Sequence, residues 1–338
     1  MKELLDRLCT ARGVSGCEEN VCDVIAEEMK RFTDDVVIDV NNNVIAVMSG
    51  KSDYNILLDA HIDQIGYIVM RIDDNGFLLV HPVGGTDVRI ANDTRMRVLT
   101  ESGDITAVVC CIPPHLNNGG ADKASYTDTL WLDTGLDCEQ VKKRVNIGDT
   151  VVYDVAPAML LNNYYTCGAT DNRACCAALL RVAEMIKESP VCPTVTFAFT
   201  SQEETYGKGA MTAAYKTDPN EAIALDVTFA AQTGVKNDES GLLGSGGMIG
   251  ISPVLSRRIS DKLKYIASQN KMPYQMEVMG GLTGTNADKI SVTKGGIPTG
   301  LLSVPQRNMH TGAEIVSIDD IENTAKLVYE YLRLAESE

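Results

Sequence analysis

The sequence has few aromatic residues, few histidines and no apolar run that could cross a membrane. Aromatic side chains make up 5% of the 338 residues, and histidines number only four. A transmembrane helix requires about 20 predominantly apolar residues, and no segment approaches that length. Charges interrupt residues 1–8, which therefore lack the apolar core of a signal peptide. We expect a cytoplasmic protein.

Positive charge is scarce relative to negative charge. The chain carries 30 basic and 46 acidic side chains, which gives a net charge of −16. A surface with this excess repels the phosphates of nucleic acids and of anionic lipids. We therefore expect neither nucleic acid nor a membrane as a partner.

The Cys-x-x-Cys spacing of thiolate zinc sites is also missing. The ten cysteines include adjacent pairs at 110–111 and 175–176. A chain of this length can bury a large core and does not need disulfides for stability. We expect reduced thiols that pack as small apolar side chains.

Two regions of α/β character flank a region of short strands. Residues 1–66 and 164–338 alternate between helical and buried-strand patterns, whereas residues 67–163 hold short segments of alternating polarity. Turn signals such as Asp74-Asn75-Gly76 separate these segments. The sequence therefore predicts an α/β domain into which a β-rich domain is inserted.

Buried strands and helices can be placed within the α/β regions. The apolar runs predict strands at 56–60, 194–199, 221–225 and 301–304, and helices near 172, at 254–269 and at 318–334. Ser15 and Glu18 also have the spacing of a capping box at a helix start. In open α/β sheets, ligands bind at the carboxyl ends of the strands, so polar residues at those ends are candidates for a site.

His61 follows the first of these strands directly. In an extended segment, Asp63 lies on the same face as His61, so its carboxylate can approach the His61 ring. A carboxylate behind a histidine fixes the tautomer for metal binding. Glu203 and Glu204 follow the second strand, where two adjacent carboxylates would repel each other without a cation. One could bind a metal ion while the other serves as a base; the alternative is a solvated pair of loop charges.

Three further candidates complete the pattern. Asp171 precedes a predicted helix, with an ordinary N-cap as the alternative. Asp226 closes the run at 222–225, with a loop cap as the alternative, and His310 lies just past the last strand. Two histidines and three carboxylates suit two divalent ions such as Zn, Co or Mn. A bridging carboxylate would hold such a pair roughly 3.5–4 Å apart. His81 and His115 lie in the inserted region, and we assign them no role.

The sequence resembles the M42 family of metallo-aminopeptidases, relatives of the tetrahedral (TET) peptidases. The resemblance covers nearly the whole chain. It rests on ordered motifs: Gly13-Val14-Ser15-Gly16 with Glu18, His61-Ile62-Asp63-Gln64-Ile65-Gly66, Ala169-Thr170-Asp171-Asn172-Arg173, Gln202-Glu203-Glu204, Ala224-Leu225-Asp226-Val227, and Ser303-Val304-Pro305 with Arg307 and Met309-His310.

The resemblance implies a role for each candidate. Asp171 would bridge two divalent ions, His61 and Asp226 would complete one site, and Glu204 and His310 the other. Glu203 would be the general base toward a water activated by the metals, and Asp63 would support His61. The activity implied is removal of N-terminal residues from peptides.

The resemblance also implies an architecture. The family's catalytic domain is a three-layer α/β/α sandwich, here residues 1–66 and 164–338. A small β-barrel-like domain, residues 67–163, would interrupt it and serve oligomerisation and substrate access. The implied assembly is a homo-oligomer, either a dimer or a tetrahedral dodecamer.

Three positions depart from the family pattern, and other activities stay open. The loop after His310 reads Thr311-Gly312, where Ser/Thr-Pro is usual. Asn286 stands where an acid is common, and Gln64 stands where Glu is common. None of the three removes a predicted metal ligand, so they bear on substrate preference and pocket charge and not on the reaction class. The alternatives are a deacylase or carboxypeptidase on the same scaffold and a metal-binding scaffold without activity. A further alternative is a glycoside hydrolase, which requires two carboxyl groups roughly 5–9.5 Å apart.

Overall fold

The computed structural model describes residues 1–112, 115 and 130–335. From residue 170 onward, helices and strands largely alternate. The strands in these ranges are β1 (Val36–Ile38), β2 (Val44–Met48), β3 (Ser52–His61), β4 (Gly66–Ile72), β5 (Leu78–Val83), β6 (Arg95–Leu99), β7 (Ile105–Val109), β8 (Leu130–Asp133), β9 (Thr150–Tyr153), β10 (Ala158–Leu160), β11 (Tyr164–Cys167), β12 (Pro193–Thr200), β13 (Glu221–Phe229), β14 (Met248–Ile251), β15 (Gln275–Val278), β16 (Thr299–Arg307) and β17 (Glu314–Ser317). The helices are α1 (Lys2–Thr10), α2 (Glu19–Met29), α3 (Cys138–Lys142), α4 (Thr170–Glu188), α5 (Lys208–Thr217), α6 (Arg257–Gln269), α7 (Asn286–Ile290) and α8 (Ile318–Leu334).

Eleven of the strands form one mixed sheet. Its order is β1-β2-β12-β3-β13-β16-β17-β11-β10, with β14 on β16 and β15 on β14. The four strands predicted from apolar runs, β3, β12, β13 and β16, lie side by side in parallel at its centre. Thr200 at the end of β12 pairs with His61 at the end of β3. The carboxyl ends of these two strands are therefore level.

Helices cover both faces of this sheet. Successive residues of a strand point to opposite faces, and accordingly Ile56 and Leu58 join one core while Leu57 joins another. The first core holds residues of α1, α2, α4, α6 and α8, and the second holds residues of α5 and α7. The predicted three-layer α/β/α sandwich is confirmed.

The other six strands close into a small barrel. Its order is β4-β5-β8-β7-β6-β9, and β9 returns to pair with β4. Side chains such as Tyr67, Val80 and Val98 fill a core of its own. The predicted β-barrel-like domain is thus present. Part of the predicted insert, residues 113–114 and 116–129, lies outside the described residues, and the exact domain boundaries stay a prediction.

Glu18 corrects one local prediction. α2 has Glu18 as its N-cap, without a side-chain cap bond, so the predicted capping box with Ser15 is wrong. The carboxylate of Glu18 instead accepts hydrogen bonds from Gly16 N at 2.6 Å and Gln202 N at 3.2 Å. It is fully buried, and it ties the start of α2 to the loop that follows β12.

The helices and the cysteines can be compared with what the composition predicts. None of the helices in the described part of the chain has the length and apolar character needed to span a bilayer. All ten cysteines fall within the described residues, and all are free thiols.

Candidate metal centre and active-site cleft

The five predicted metal ligands meet at the carboxyl edge of the central parallel strands. His61 ends β3, and Glu204 follows β12. Asp226, however, does not close its strand, because β13 continues to Phe229 through its pairing with β16. Pairing of β13 with β3 stops earlier, at Ala224. The side chain of Asp226 therefore stands beside the end of β3, next to His61.

The ligand atoms form two groups that share Asp171. In the first group, His61 Nε2 lies 3.1 Å from Asp171 Oδ1 and 3.7 Å from Asp226 Oδ1. In the second, His310 Nε2 lies 3.4 Å from Asp171 Oδ2 and 3.5 Å from Glu204 Oε2. Within each group all three ligand atoms lie within 4.8 Å of one another. Each oxygen of Asp171 thus faces a different group.

The backbone at Asp171 departs from the helix to which it belongs. Its φ and ψ are −81° and 104°, and those of Asn172 are −117° and 29°. The N-cap of α4 is Ala169, so the N-cap alternative for Asp171 is wrong. The side chain of Asn172 donates to Leu225 O at 2.8 Å. This bond ties the start of α4 to β13 and orients Asp171 toward both histidines.

Glu314 is a functional candidate that the sequence did not reveal. It is 1% exposed, and its Oε2 accepts hydrogen bonds from Asp171 N and Thr170 Oγ1, both at 3.0 Å. Its Oε1 accepts from His310 N, also at 3.0 Å. One carboxylate therefore fixes the main chain of the shared ligand and of a ligand in the second group. In the sequence, Glu314 appears only as an acid at the start of a short apolar strand. This pattern does not indicate which residues its carboxylate contacts.

Asp63 has the predicted contact with His61 and a second contact that was not foreseen. His61 Nδ1 lies 3.1 Å from the main-chain oxygen of Asp63 and 3.4 Å from its Oδ1. The Asp63 carboxylate also accepts from the main-chain N–H groups of Glu203 at 3.0 Å and Glu204 at 3.1 Å. It therefore joins the end of β3 to the turn that carries both glutamates.

Arg173 holds the segment that directly follows His61 in place. Its side chain is fully buried and donates from Nε to Ile62 O at 2.6 Å and from Nη1 to Leu8 O at 2.5 Å. Burying a guanidinium is unfavourable unless hydrogen bonds compensate it. These bonds hold the chain directly after His61 against α1. In the sequence, Arg173 stands in the motif around Asp171, but nothing there indicates this role.

Burial and hydrogen bonding shift the pKa values of the ligands in opposite directions. Burial raises the pKa values of Glu204 and Asp226. Burial would also raise the pKa of Asp171, but hydrogen bonds with His310 and His61 outweigh it and lower that pKa. The hydrogen bond to Asp171 is the main reason that the pKa of His310 rises to about 10.

These shifts describe a site with more buried negative charge than its histidines can neutralise. A divalent cation in each group would favour the carboxylate forms of Glu204 and Asp226 and compete with protons for both histidines. The donors are imidazole nitrogens and carboxylate oxygens, which suit Zn, Co or Mn. The residues present therefore fit two such ions.

A cleft of about 680 Å³ opens over both groups. Its wall includes Glu203, whose pKa burial raises to about 8. The further lining side chains away from the ligands include Tyr206, Phe229, Glu277, Asp288, Lys289 and Ser303. A carboxyl group with a pKa near neutrality beside two ligand groups can accept and return a proton during hydrolysis.

Asn286 and Gln64, two of the departures from the family pattern, lie outside this cleft. Asn286 is 2% exposed, and its Nδ2 donates to Asp59 Oδ2 and to Thr200 Oγ1, both at 2.9 Å. Asp59 is fully buried, so an amide at 286 satisfies it where a second acid would repel it. Gln64 lines a separate small cavity with Cys9 and Arg12. Neither side chain alters the charge of the cleft lining directly.

Imidazole and carboxylate ligands at the carboxyl edge of a parallel sheet are typical of metal-dependent hydrolases. Comparison with known families is more specific. The family model of the M42 glutamyl aminopeptidases matches residues 42–327. The chain belongs to this M42 peptidase family, whose members are metal-dependent hydrolases of peptide bonds.

Individual relatives agree with this assignment. The lysyl aminopeptidase of Pyrococcus furiosus is 30% identical, over 96% of this chain and 94% of that protein. The solved aminopeptidase APDkam598 of Desulfurococcus kamchatkensis superposes with a TM-score of 0.93 at 33% identity, covering 99% of this chain and 94% of that one. The TET1 peptidase of Pyrococcus horikoshii, which can assemble into a tetrahedron or a large octahedral shell, has a TM-score of 0.86 at 31% identity, with 98% of each chain covered.

Proposed function

We propose that this protein is a dinuclear-metal aminopeptidase that removes N-terminal residues from peptides. The observation that carries the proposal is the position of Asp171, whose two oxygens each face a separate group of one histidine and one further carboxylate. A single carboxylate between two such groups is the arrangement that holds a pair of ions in aminopeptidases.

His61, Asp226 and Asp171 would hold one ion, and Glu204, His310 and Asp171 the other. Zn, Co and Mn all accept these donors. When bound, the ions would lower the pKa of water and polarise the scissile carbonyl group. The chain's own contribution is orientation, because Asp63, Glu314 and Asn172 fix the ligands through their main chains or neighbouring strands.

Glu203 is assigned as the general base. Its main-chain N–H is held by Asp63, its side chain lines the cleft, and it belongs to neither ligand group. It would take the proton from the attacking water and give it to the leaving amine. General acid–base groups of this kind contribute roughly 10²–10⁴-fold to rate.

The proposed substrates are peptides with a free N-terminus. The names of the P. furiosus and D. kamchatkensis relatives support this choice over a deacylase or a carboxypeptidase. The assembly of the P. horikoshii relative into a tetrahedron or an octahedral shell supports a homo-oligomer. We propose a dimer or a tetrahedral dodecamer for this chain. The barrel domain, predicted at residues 67–163, would then serve oligomerisation and access to the cleft, while residues 1–66 and 164–338 would form the catalytic domain.

A panel of substrates tests the proposal. The metal-free protein, reloaded with Zn, Co or Mn in turn, is assayed on aminoacyl anilides, on their N-acetylated forms and on cellulose-type oligosaccharides. We expect cleavage of the free aminoacyl compounds only, and its loss on chelation. Cleavage confined to N-acylated compounds would support the deacylase, and chelator-resistant cleavage of sugars would support the glycoside hydrolase.

The Glu203→Gln variant tests whether Glu203 acts as the general base or as a metal ligand. It should lose about 10²–10⁴-fold in kcat while it binds the same number of ions as the wild type. Wild-type kcat in this variant would refute the role of Glu203 but leave the metal sites standing.

A further inference from the structure

The barrel reaches the candidate metal centre through two adjacent glycines. Gly84 and Gly85 follow Val83, the last residue of β5. Val83 pairs with Gly66, the first residue of β4, and Gly66 comes shortly after His61 in the chain. The glycine pair is therefore tied by a strand pairing to the segment that carries one ligand.

The main chain of Gly85 contacts a ligand of the second group. Its carbonyl oxygen lies 3.2 Å from His310 Nδ1. A carbonyl oxygen only accepts, so Nδ1 must carry the proton and donate it. In the neutral ring, Nε2, which faces Asp171 and Glu204, is then the nitrogen that carries the lone pair a metal ion would use. A metal-binding histidine usually donates from its other ring nitrogen in this way.

There is no space for a side chain at either glycine. A Cβ on Gly85 would lie 2.6 Å from His310 Nδ1 and 2.9 Å from its Cε1. A Cβ on Gly84 would lie 2.9 Å from Ile65 Cγ2 and 3.3 Å from Glu204 Oε2, and its φ of +76° disfavours other residues. The His310 main chain is held by Glu314. The ring of His310 would therefore have to move, and this would take Nε2 away from the other ligand atoms.

We propose that Gly85 is a positioning residue for the second ligand group. Its carbonyl selects the tautomer and orientation of His310, and its missing side chain leaves the space in which the ring stands. The inference rests on the proposed two-metal site. It gives the barrel a direct part in metal binding, in addition to assembly and access.

The test is the Gly85→Ala variant of the full-length protein. Metal-free protein is titrated with Co²⁺, and binding is followed by calorimetry and by the visible absorption of the bound ion. We expect the first equivalent to bind as in the wild type and the second to bind about 10–100-fold more weakly. Gly295→Ala is the matched control, because a Cβ there meets nothing within 4 Å; it should bind both equivalents normally.

A second pair of variants separates a local clash from damage to the fold. Gly85→Ala is combined with His310→Ala and compared with His310→Ala alone. If the added methyl group acts through the ring of His310, the two proteins have the same affinity for the remaining equivalent and the same Tm. A further loss in the double variant, or normal binding of both equivalents by Gly85→Ala, overturns the inference. Wild-type protein that binds fewer than two equivalents would instead overturn the proposed function.

Discussion

Removal of the Glu314 carboxylate should weaken both candidate metal sites, and the second more than the first. Its oxygens accept from Asp171 N, Thr170 Oγ1 and His310 N. Asp171 belongs to both ligand groups, whereas His310 belongs only to the second. Glu314→Ala therefore loosens one ligand of the first group and two ligands of the second.

The size of the effect follows from the hydrogen bonds that are lost. An unsatisfied buried donor costs about 1–3 kcal/mol, and the substitution leaves three of them. Water entering the space left by the side chain would offset part of this cost. Loss of such outer partners typically lowers metal affinity about 10–100-fold. We expect about 10-fold for the first equivalent and about 100-fold for the second.

Calorimetric titration of the metal-free variant with Co²⁺ measures both affinities. Glu314→Gln is the matched variant, because it keeps the shape of the side chain and one acceptor oxygen. Its metal affinities should fall between those of wild type and those of Glu314→Ala. Affinities for both equivalents within about twofold of wild type in Glu314→Ala would refute the reasoning.

Two other substitutions test the supports of the site. Asp63→Ala should lower kcat about 10–100-fold, because the N–H groups of Glu203 and Glu204 lose their acceptor; Asp63→Asn should lose less, and equal kcat in all three proteins would contradict the role. Asn286→Asp places a second carboxyl group against buried Asp59, whose pKa burial already raises to about 7. A raised acid pKa means that the folded protein binds the extra proton, so stability falls as pH rises from about 4 to 7. Asn286→Asp should steepen that fall, with a Tm at pH 8.5 lower by roughly 5 °C or more than that of wild type and a smaller difference at pH 5. A pH-independent difference would contradict this account.

Much of the fold was predictable because its signals are local. The four central strands are short apolar runs, and α8 begins after Ser317, whose Oγ accepts from Asp320 N. The end of β13 was not predictable in the same way. Asp226 is polar, but it remains inside the strand because β16 continues to pair with it. Whether a polar residue ends a strand depends on its neighbour across the sheet.

The ligand candidates were also accessible from the sequence, since each lies near a strand end or a helix start. The residues that hold these ligands in place could not be predicted from the sequence. Glu314 contacts Asp171 across 143 positions of sequence, and Arg173 reaches Leu8 across 165. The contact of Gly85 with His310 requires the barrel to be placed against the sandwich. Nothing local distinguishes these residues from an ordinary strand acid, a helix arginine or a turn glycine.

The central claim is that two ions sharing Asp171 are needed for cleavage at a free N-terminus. The most direct measurement is the rate of release of N-terminal residues as metal-free protein is titrated with Co²⁺, with metal content determined at each point. The account predicts that activity reaches its maximum at two equivalents per chain and that Asp171→Ala binds neither ion tightly. Full activity in the absence of metal, or unchanged binding of both ions by Asp171→Ala, would contradict it.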